Sequence, residues 1–266
     1  MVQATIGVIG GSGFYEFLDS PVEVAIDTPY GAPSDPLVVG EVGGRNVAFV
    51  PRHGRDHRYP PHQIPYRANL WALRSLGVRQ VLAPCAVGGL RSSLGPGALV
   101  VPDQLVDRTR DRPQTFHDTG AVHVSFADPY CPRGRRIAVQ EAVSAGWTVT
   151  DGGTMVVIEG PRFSTRAESR WFAAQGWDIV NMTGHPEAVL ARELALCYTA
   201  VALVTDLDAG VDSSAAVTQD VVFSVFKANT ARLRTLLYAV VAGLSENRDC
   251  ECGRALDGID HDLALP

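Results

Sequence analysis

Short apolar runs alternate with longer amphipathic stretches along most of the chain. IGVIG (6–10), NVAFVP (46–51), VRQVLAPCAVGGL (78–90), GALVVPD (97–103), TMVVIEG (154–160), WDIVNMT (177–183) and YTAVALVTD (198–206) are rich in Val, Ile and Leu, and predict buried strands or strand-loop units. Between them, YRANLWALRSLG (66–77), RGRRIAVQEAVSAG (133–146), STRAESRWFAAQG (164–176) and PEAVLARELAL (186–196) carry the helical period. Thr165 and Glu168 form a capping-box start for the third of these, and Pro186 stands where a first helical turn tolerates proline. A long amphipathic stretch, 218–244, closes the pattern. The alternation predicts a single α/β domain over residues 1–246, with a central mixed β-sheet flanked by helices. No repeat or linker interrupts it, and residues 247–266 read as a polar, peripheral tail.

Composition narrows the function classes. A chain of 266 residues, 46% hydrophobic, suits one core. A net charge of −6 offers no basic footprint for nucleic acid or anionic membrane. No charged n-region precedes the first apolar run and no stretch has the length of a membrane span, so a cytoplasmic protein is expected. Five cysteines (85, 131, 197, 250, 252), scattered and odd in number, fit a reducing compartment. Two of them form CECG (250–253) in the tail. They are expected to be unpaired: a Cys-x-Cys disulfide closes a cramped ring, and a zinc site needs more ligands.

The first strand exits through G-x-x-G-G-S-G (7–13), a turn whose backbone N–H groups can approach an anion closely. The spacing is not the G-x-G-x-x-G of a dinucleotide fold. A nucleotide P-loop is excluded too, because Lys227 is the only lysine. A strand-exit turn without a ligand remains open on this stretch alone. The other strands also end in small or polar residues: Arg52-His53, Cys85-Ala86, Glu159-Gly160-Pro161, Asn181-Met182-Thr183 and Thr205-Asp206-Leu207-Asp208. Ligands of open α/β sheets bind beyond the carboxyl ends of strands, so these clusters on one rim suggest a site. PRHGRDHRYPPH (51–62) holds three arginines and three histidines. The arginines argue against a metal at His53 and His57 and for an anion, with Arg55 and Arg58 open to simple pairing with surface acids.

GVIGGSGF, DTPYGAPSDP, PRHGRDH, DRPQTFHD, IEGPRFSTRAESRWF, NMTGHPEAVLARE and TDLD occur here in an order that resembles the methylthioadenosine phosphorylase branch of the trimeric purine nucleoside phosphorylases. The motifs run from about residue 7 to 223. The resemblance implies phosphorolysis of a purine nucleoside, with inorganic phosphate as co-substrate, no metal and no organic cofactor. It places phosphate at Ser12, Arg52, His53, Cys85, Ala86 and Thr183, with Arg52 and His53 as a charged clamp. It places the sugar over Met182 and the base against Phe163, Ser164, Asp206 and Asp208, with Asp206 catalytic. The 5′-substituent is similarly assigned to Gln219, Val222 and Phe223, with His123 lent by a neighbouring subunit of a homotrimer. Two residues depart from the family pattern. Cys85 replaces a frequent threonine, exchanging a hydroxyl for a weak S–H donor, and Gln219 stands where an apolar side chain is usual. Relatives that accept 6-oxopurines carry asparagine at the Asp206 position, so the resemblance implies a preference for 6-aminopurines, with adenosine (through Gln219) and inosine-type nucleosides as alternative substrates.

Overall fold

A computed structural model describes residues 3–11, 18–211 and 216–266. Eleven strands form one mixed sheet: β1 (Ile6–Gly10), β2 (Asp19–Val24), β3 (Leu37–Val42), β4 (Arg45–Pro51), β5 (Gln80–Gly89), β6 (Leu99–Val101), β7 (Gln104–Arg108), β8 (Val149–Asp151), β9 (Thr154–Ile158), β10 (Ile179–Asn181) and β11 (Cys197–Leu207). Among the described residues five α-helices accompany them: α1 (Tyr66–Ser75), α2 (Pro132–Ser144), α3 (Arg166–Ala174), α4 (Gly184–Glu193) and α5 (Gln219–Gly243). The predicted capping box opens α3, with the Thr165 hydroxyl and the Glu168 carboxylate each accepting from the other residue's backbone N–H. Among the described residues no helix is long and apolar enough to cross a membrane.

Side-chain alternation divides the core between the two faces of the sheet. Ala83, Cys85 and Val87 of β5 and Ala200, Ala202 and Val204 of β11 join one cluster with Leu70 and Leu73 of α1 and Leu190 of α4. Leu82, Val201 and Leu203 face the other way, onto Ala138 of α2 and Leu233, Leu237 and Val240 of α5. Both central strands are therefore covered on both faces, which is why their sequences are apolar runs instead of alternating ones.

Strand β5 sets the position of the site. Strand β11 pairs with it in parallel along its whole length, occupying one edge. On the other edge β1 pairs only with residues 80–82, and β10 arrives, antiparallel, only at Gly88 and Gly89. Residues 83–87 lie between the two, where the edge faces no strand among the described residues. The sequence reading ended this strand near Cys85; it runs on to Gly89, because its partner β11 continues beside it.

Four strands or bridges escaped the sequence reading: β2, β3, β7 and β8. β2 is mostly exposed and β8 has three residues, so neither leaves an apolar run to detect. The tail also departs from the peripheral segment expected. Leu263 and Leu265 pack against the larger core cluster, and Cys252 is buried. Arg248 donates to the carbonyls of Ala195 and Arg79, fixing the tail beside the starts of β11 and β5.

Candidate active site

A cavity of about 240 Å³ opens where six strand ends converge, lined by Gly11, Arg52 and His53, Cys85 to Gly88, Ile158, Asn181 to Thr183, and Thr205, Asp206 and Asp208. Phe163 and Ser164 from the turn before α3, and Val222, Phe223 and Phe226 from α5, complete the wall. Of the residues assigned from sequence, Arg52, His53, Cys85, Ala86, Phe163, Ser164, Met182, Thr183, Asp206, Asp208, Val222 and Phe223 all line this one space. Ser12 lies outside the described residues. Gln219 is exposed at the first turn of α5 and does not line the cavity. It shares a helical face with Val222, Phe223 and Phe226 (i, i+3, i+4, i+7), but stands at the helix end, one turn farther out. His123 is exposed on an irregular segment and is likewise absent from its own chain's cavity wall.

The unpaired edge of β5 is met by side chains. Arg52 donates through Nη1 to the Pro84 carbonyl at 3.1 Å, and Asn181 through Nδ2 to the Ala86 carbonyl at 3.1 Å. In a strand, a residue's N–H and C=O point to the same edge, so the Ala86 N–H is directed to the same gap. Asn181 also accepts from the N–H groups of Thr183 and Gly184 at 2.8 and 2.7 Å, which ties the start of α4 to β5. Arg112, buried, holds the same turn from behind: it donates to the carbonyls of Met182, His185 and Glu159 at 2.9, 2.7 and 2.6 Å. Arg112 was not singled out from sequence, and Asn181 only as part of a strand-end cluster. Their roles are backbone contacts across distant segments, which leave no spacing to read.

Arg52 is nearly inaccessible and commits four of its five N–H groups to the protein. Besides Pro84 it reaches the Ile9 carbonyl at 3.0 Å and grips Glu187 bidentately at 2.7 and 3.1 Å. Glu187 takes a further bond from the Tyr198 hydroxyl at 2.7 Å. Burial alone would lower the Arg52 pKa, but the Glu187 carboxylate outweighs it and keeps the guanidinium charged. His53 differs from the charged partner expected. Burial, with the Arg52 charge beside it, pushes its pKa down to about 4, so the ring is neutral at pH 7. Its Nδ1 lies 2.9 Å from the Tyr59 carbonyl, which only accepts, so Nδ1 carries the proton and Nε2 is left as an acceptor. Burial likewise pushes the Cys85 thiol up to about 12 and keeps it protonated. Arg55 and Arg58 pair with Glu23, Asp35 and Asp56, away from the cavity.

A pair of acids occupies another part of the wall. Strand β11 slips register by one residue at Thr205, between the pairs Val204–Val87 and Asp206–Gly88. A bulge of this kind redirects the side chains that follow it. The Thr205 hydroxyl donates to Asp206 at 2.8 Å. Gly88 clears the space, since a Cβ there would come within 3.2 Å of Asp206 Oδ1 and 3.0 Å of Val180. Burial raises the Asp206 pKa to about 6, with the Asp208 charge adding to it. The Asp208 pKa is also raised by burial, against the pull of the Ser169 hydroxyl. Asp208 Oδ2 and Ser164 Oγ are buried without a hydrogen-bond partner among the described residues, and both residues face the cavity. An end bearing Arg52 and an end bearing Asp206 and Asp208 thus share one apolar-walled space.

The sequence pattern described as the Phosphorylase superfamily matches residues 5–244. The chain belongs to that superfamily. It is 62% identical to the purine nucleoside phosphorylase of Streptomyces coelicolor, over all of this chain and 99% of the relative. It is 56% identical to the S-methyl-5′-thioadenosine phosphorylase of Mycolicibacterium smegmatis, over 98% and 99% of the two chains. Among solved structures, a methylthioadenosine phosphorylase from an antarctic soil metagenomic library superposes with a TM-score of 0.91 at 42% identity, covering 97% of this chain and 92% of that one. A Ser-to-Thr mutant of the Schistosoma mansoni adenosine/methylthioadenosine phosphorylase, in complex with methylthioadenosine, superposes with a TM-score of 0.87 at 37% identity, over 92% and 93%. This phosphorylase is accordingly a pentosyltransferase of the methylthioadenosine phosphorylase branch, and the single-domain mixed-sheet fold expected from its sequence is the fold of those neighbours.

Proposed function

We propose that this phosphorylase cleaves 5′-methylthioadenosine with inorganic phosphate, giving adenine and 5-methylthioribose 1-phosphate. The observation that carries the reading is the Asp206–Asp208 pair, two buried carboxyls with raised pKa values on the cavity wall. Phosphate sits against Arg52, His53, Thr183 and the Ala86 N–H. A phosphate oxygen attacks C1′ of the ribose while the C1′–N9 bond breaks, and the bonding pair leaves with the purine. Phosphate beside the sugar stabilises its oxocarbenium character by charge and proximity. Asp206, whose raised pKa of about 6 keeps a protonated fraction available near neutral pH, gives its proton to N7 as negative charge develops on the base. Asp208 accepts from the N6 amine, which supplies its buried Oδ2 with a donor. Phe163, Val222, Phe223 and Phe226 give an apolar wall suited to a methylthio group. No organic cofactor takes part in the reaction so written. We place the enzyme in the cytoplasm, as a homotrimer in which His123 reaches the cavity of a neighbouring subunit.

The test is base release from methylthioadenosine, adenosine and inosine, each with and without phosphate. Phosphate-dependent release of adenine, fastest from methylthioadenosine, is expected. Equal release in phosphate-free buffer would indicate a hydrolase and end the proposal. The relative from Streptomyces coelicolor, named a purine nucleoside phosphorylase, is compatible with a second reading in which a 6-oxopurine nucleoside is preferred. A kcat/KM ratio favouring methylthioinosine over methylthioadenosine would establish it.

A further inference from the structure

Four of the five cysteines, far apart in sequence, converge at the opposite end of β11 from Asp206. Cys131 precedes α2 as its N-cap, Cys197 is the first residue of β11, and Cys250 and Cys252 come from the tail. Their four sulfur atoms all lie within 4.8 Å of one another, with Cys197–Cys250 at 3.4 Å and Cys131–Cys250 at 3.7 Å. All four are free thiols, three of them buried, and they form a small cluster of their own. The tail pair read from sequence lacked further ligands; the fold supplies two.

We infer that Cys131, Cys197, Cys250 and Cys252 form a tetrathiolate site for one zinc ion, which clamps the C-terminal tail to the domain. Zinc–sulfur bonds of about 2.3 Å in a tetrahedron place sulfurs about 3.8 Å apart, the range found here. Hydrophobic packing of thiols needs no such mutual convergence of four sulfur atoms. The surroundings suit the charge of thiolates as well. The Gly134 N–H donates to Cys131 Sγ at 3.4 Å from the first turn of α2, where the helix dipole favours a negative group. An all-sulfur tetrahedral donor set selects zinc over harder divalent ions. The ion closes the chain from residue 131 to residue 252, so its binding energy adds to folding rather than to the chemistry in the cavity. A site of this kind departs from the expectation of no metal, because the partners of the tail cysteines lie far away in sequence and are invisible to any local spacing.

The full chain, purified under reducing conditions, is analysed for metal by mass spectrometry and then stripped and titrated with cobalt(II). One zinc per chain is expected. The stripped chain is expected to take up one cobalt, showing the visible bands of a tetrahedral thiolate complex that zinc displaces. Cys250→Ser/Cys252→Ser, which alters only the tail, is expected to lose the bound metal and the cobalt spectrum while keeping phosphorolysis of methylthioadenosine within about twofold. Reduced chain that binds no equivalent of zinc or cobalt overturns the inference. So does native protein whose cysteines prove paired as disulfides by peptide mass mapping, and iron in place of zinc overturns the choice of ion. The cobalt titration of the parent chain decides the matter even if the double variant fails to fold.

Discussion

Glu187 and Asp206 are both buried carboxyls beside the same cavity, yet the protein treats them in opposite ways. Glu187 receives two bonds from Arg52 and one from Tyr198. Asp206 has a single local donor, Thr205, and a second carboxyl, Asp208, for a neighbour. The first arrangement keeps charge fixed and satisfied; the second leaves a carboxyl that holds its proton to about pH 6. The difference separates buried charge that the fold satisfies from buried acid that it leaves open to the cavity. Satisfied buried charge orders Arg52 against the strand edge, and unsatisfied buried acid is held ready for a ligand.

Substitutions should therefore separate activity from stability. The largest expected effect is that of Asp206→Asn on turnover: kcat/KM for methylthioadenosine falls by about 10²–10⁴, as for loss of a general acid, with the midpoint of urea unfolding at pH 7 unchanged or raised. Its ratio of methylthioinosine to methylthioadenosine rises, because an amide can donate to a 6-oxo group. An unaltered ratio would remove Asp206 from base recognition. Glu187→Ala should do the reverse in kind, destabilising by about 3–5 kcal/mol, because the Arg52 charge is left buried and alone. Urea unfolding measures it, and a loss below about 1 kcal/mol would mean that water replaces the carboxylate.

The same comparison has a pH signature. The Asp206 pKa is raised from 3.8 to about 6, so between those values the folded chain holds a proton that the unfolded chain has released. The contribution of this group to stability is therefore full below about pH 4 and is lost as pH rises through 6. Asp206→Asn should remove that fall, making urea midpoints at pH 4.5 and 7 differ less than in the parent; an unchanged difference would place the titration elsewhere. Smaller effects belong to α5. Phe226→Ala should raise KM for methylthioadenosine by about 5–30-fold, in line with about 1–2 kcal/mol of lost apolar contact, and should affect adenosine less. Gln219→Val, outside the cavity wall, should leave the methylthioadenosine-to-adenosine ratio within about twofold; a marked rise would bring Gln219 back to the 5′-group.

Periodicity and end signals were enough to locate the central strands and all five helices, because those segments bury one or both faces and local rules agree with the fold. The motifs at strand ends named most of the cavity wall for a related reason: successive strands of an α/β sheet deliver their ends to one rim. What sequence could not supply is whatever depends on several distant segments at once. The gap along β5 exists because β1 leaves its edge at Leu82 and β10 joins at Gly88. The neutrality of His53, expected to be charged, comes from burial. The exclusion of Gln219 from the wall comes from where α5 begins. The four thiols meet because the tail returns to the start of β11. Residue type and spacing decide which groups a chain possesses and which of them share an element; desolvation and convergence are properties of packed neighbours, and only the tertiary structure decides those.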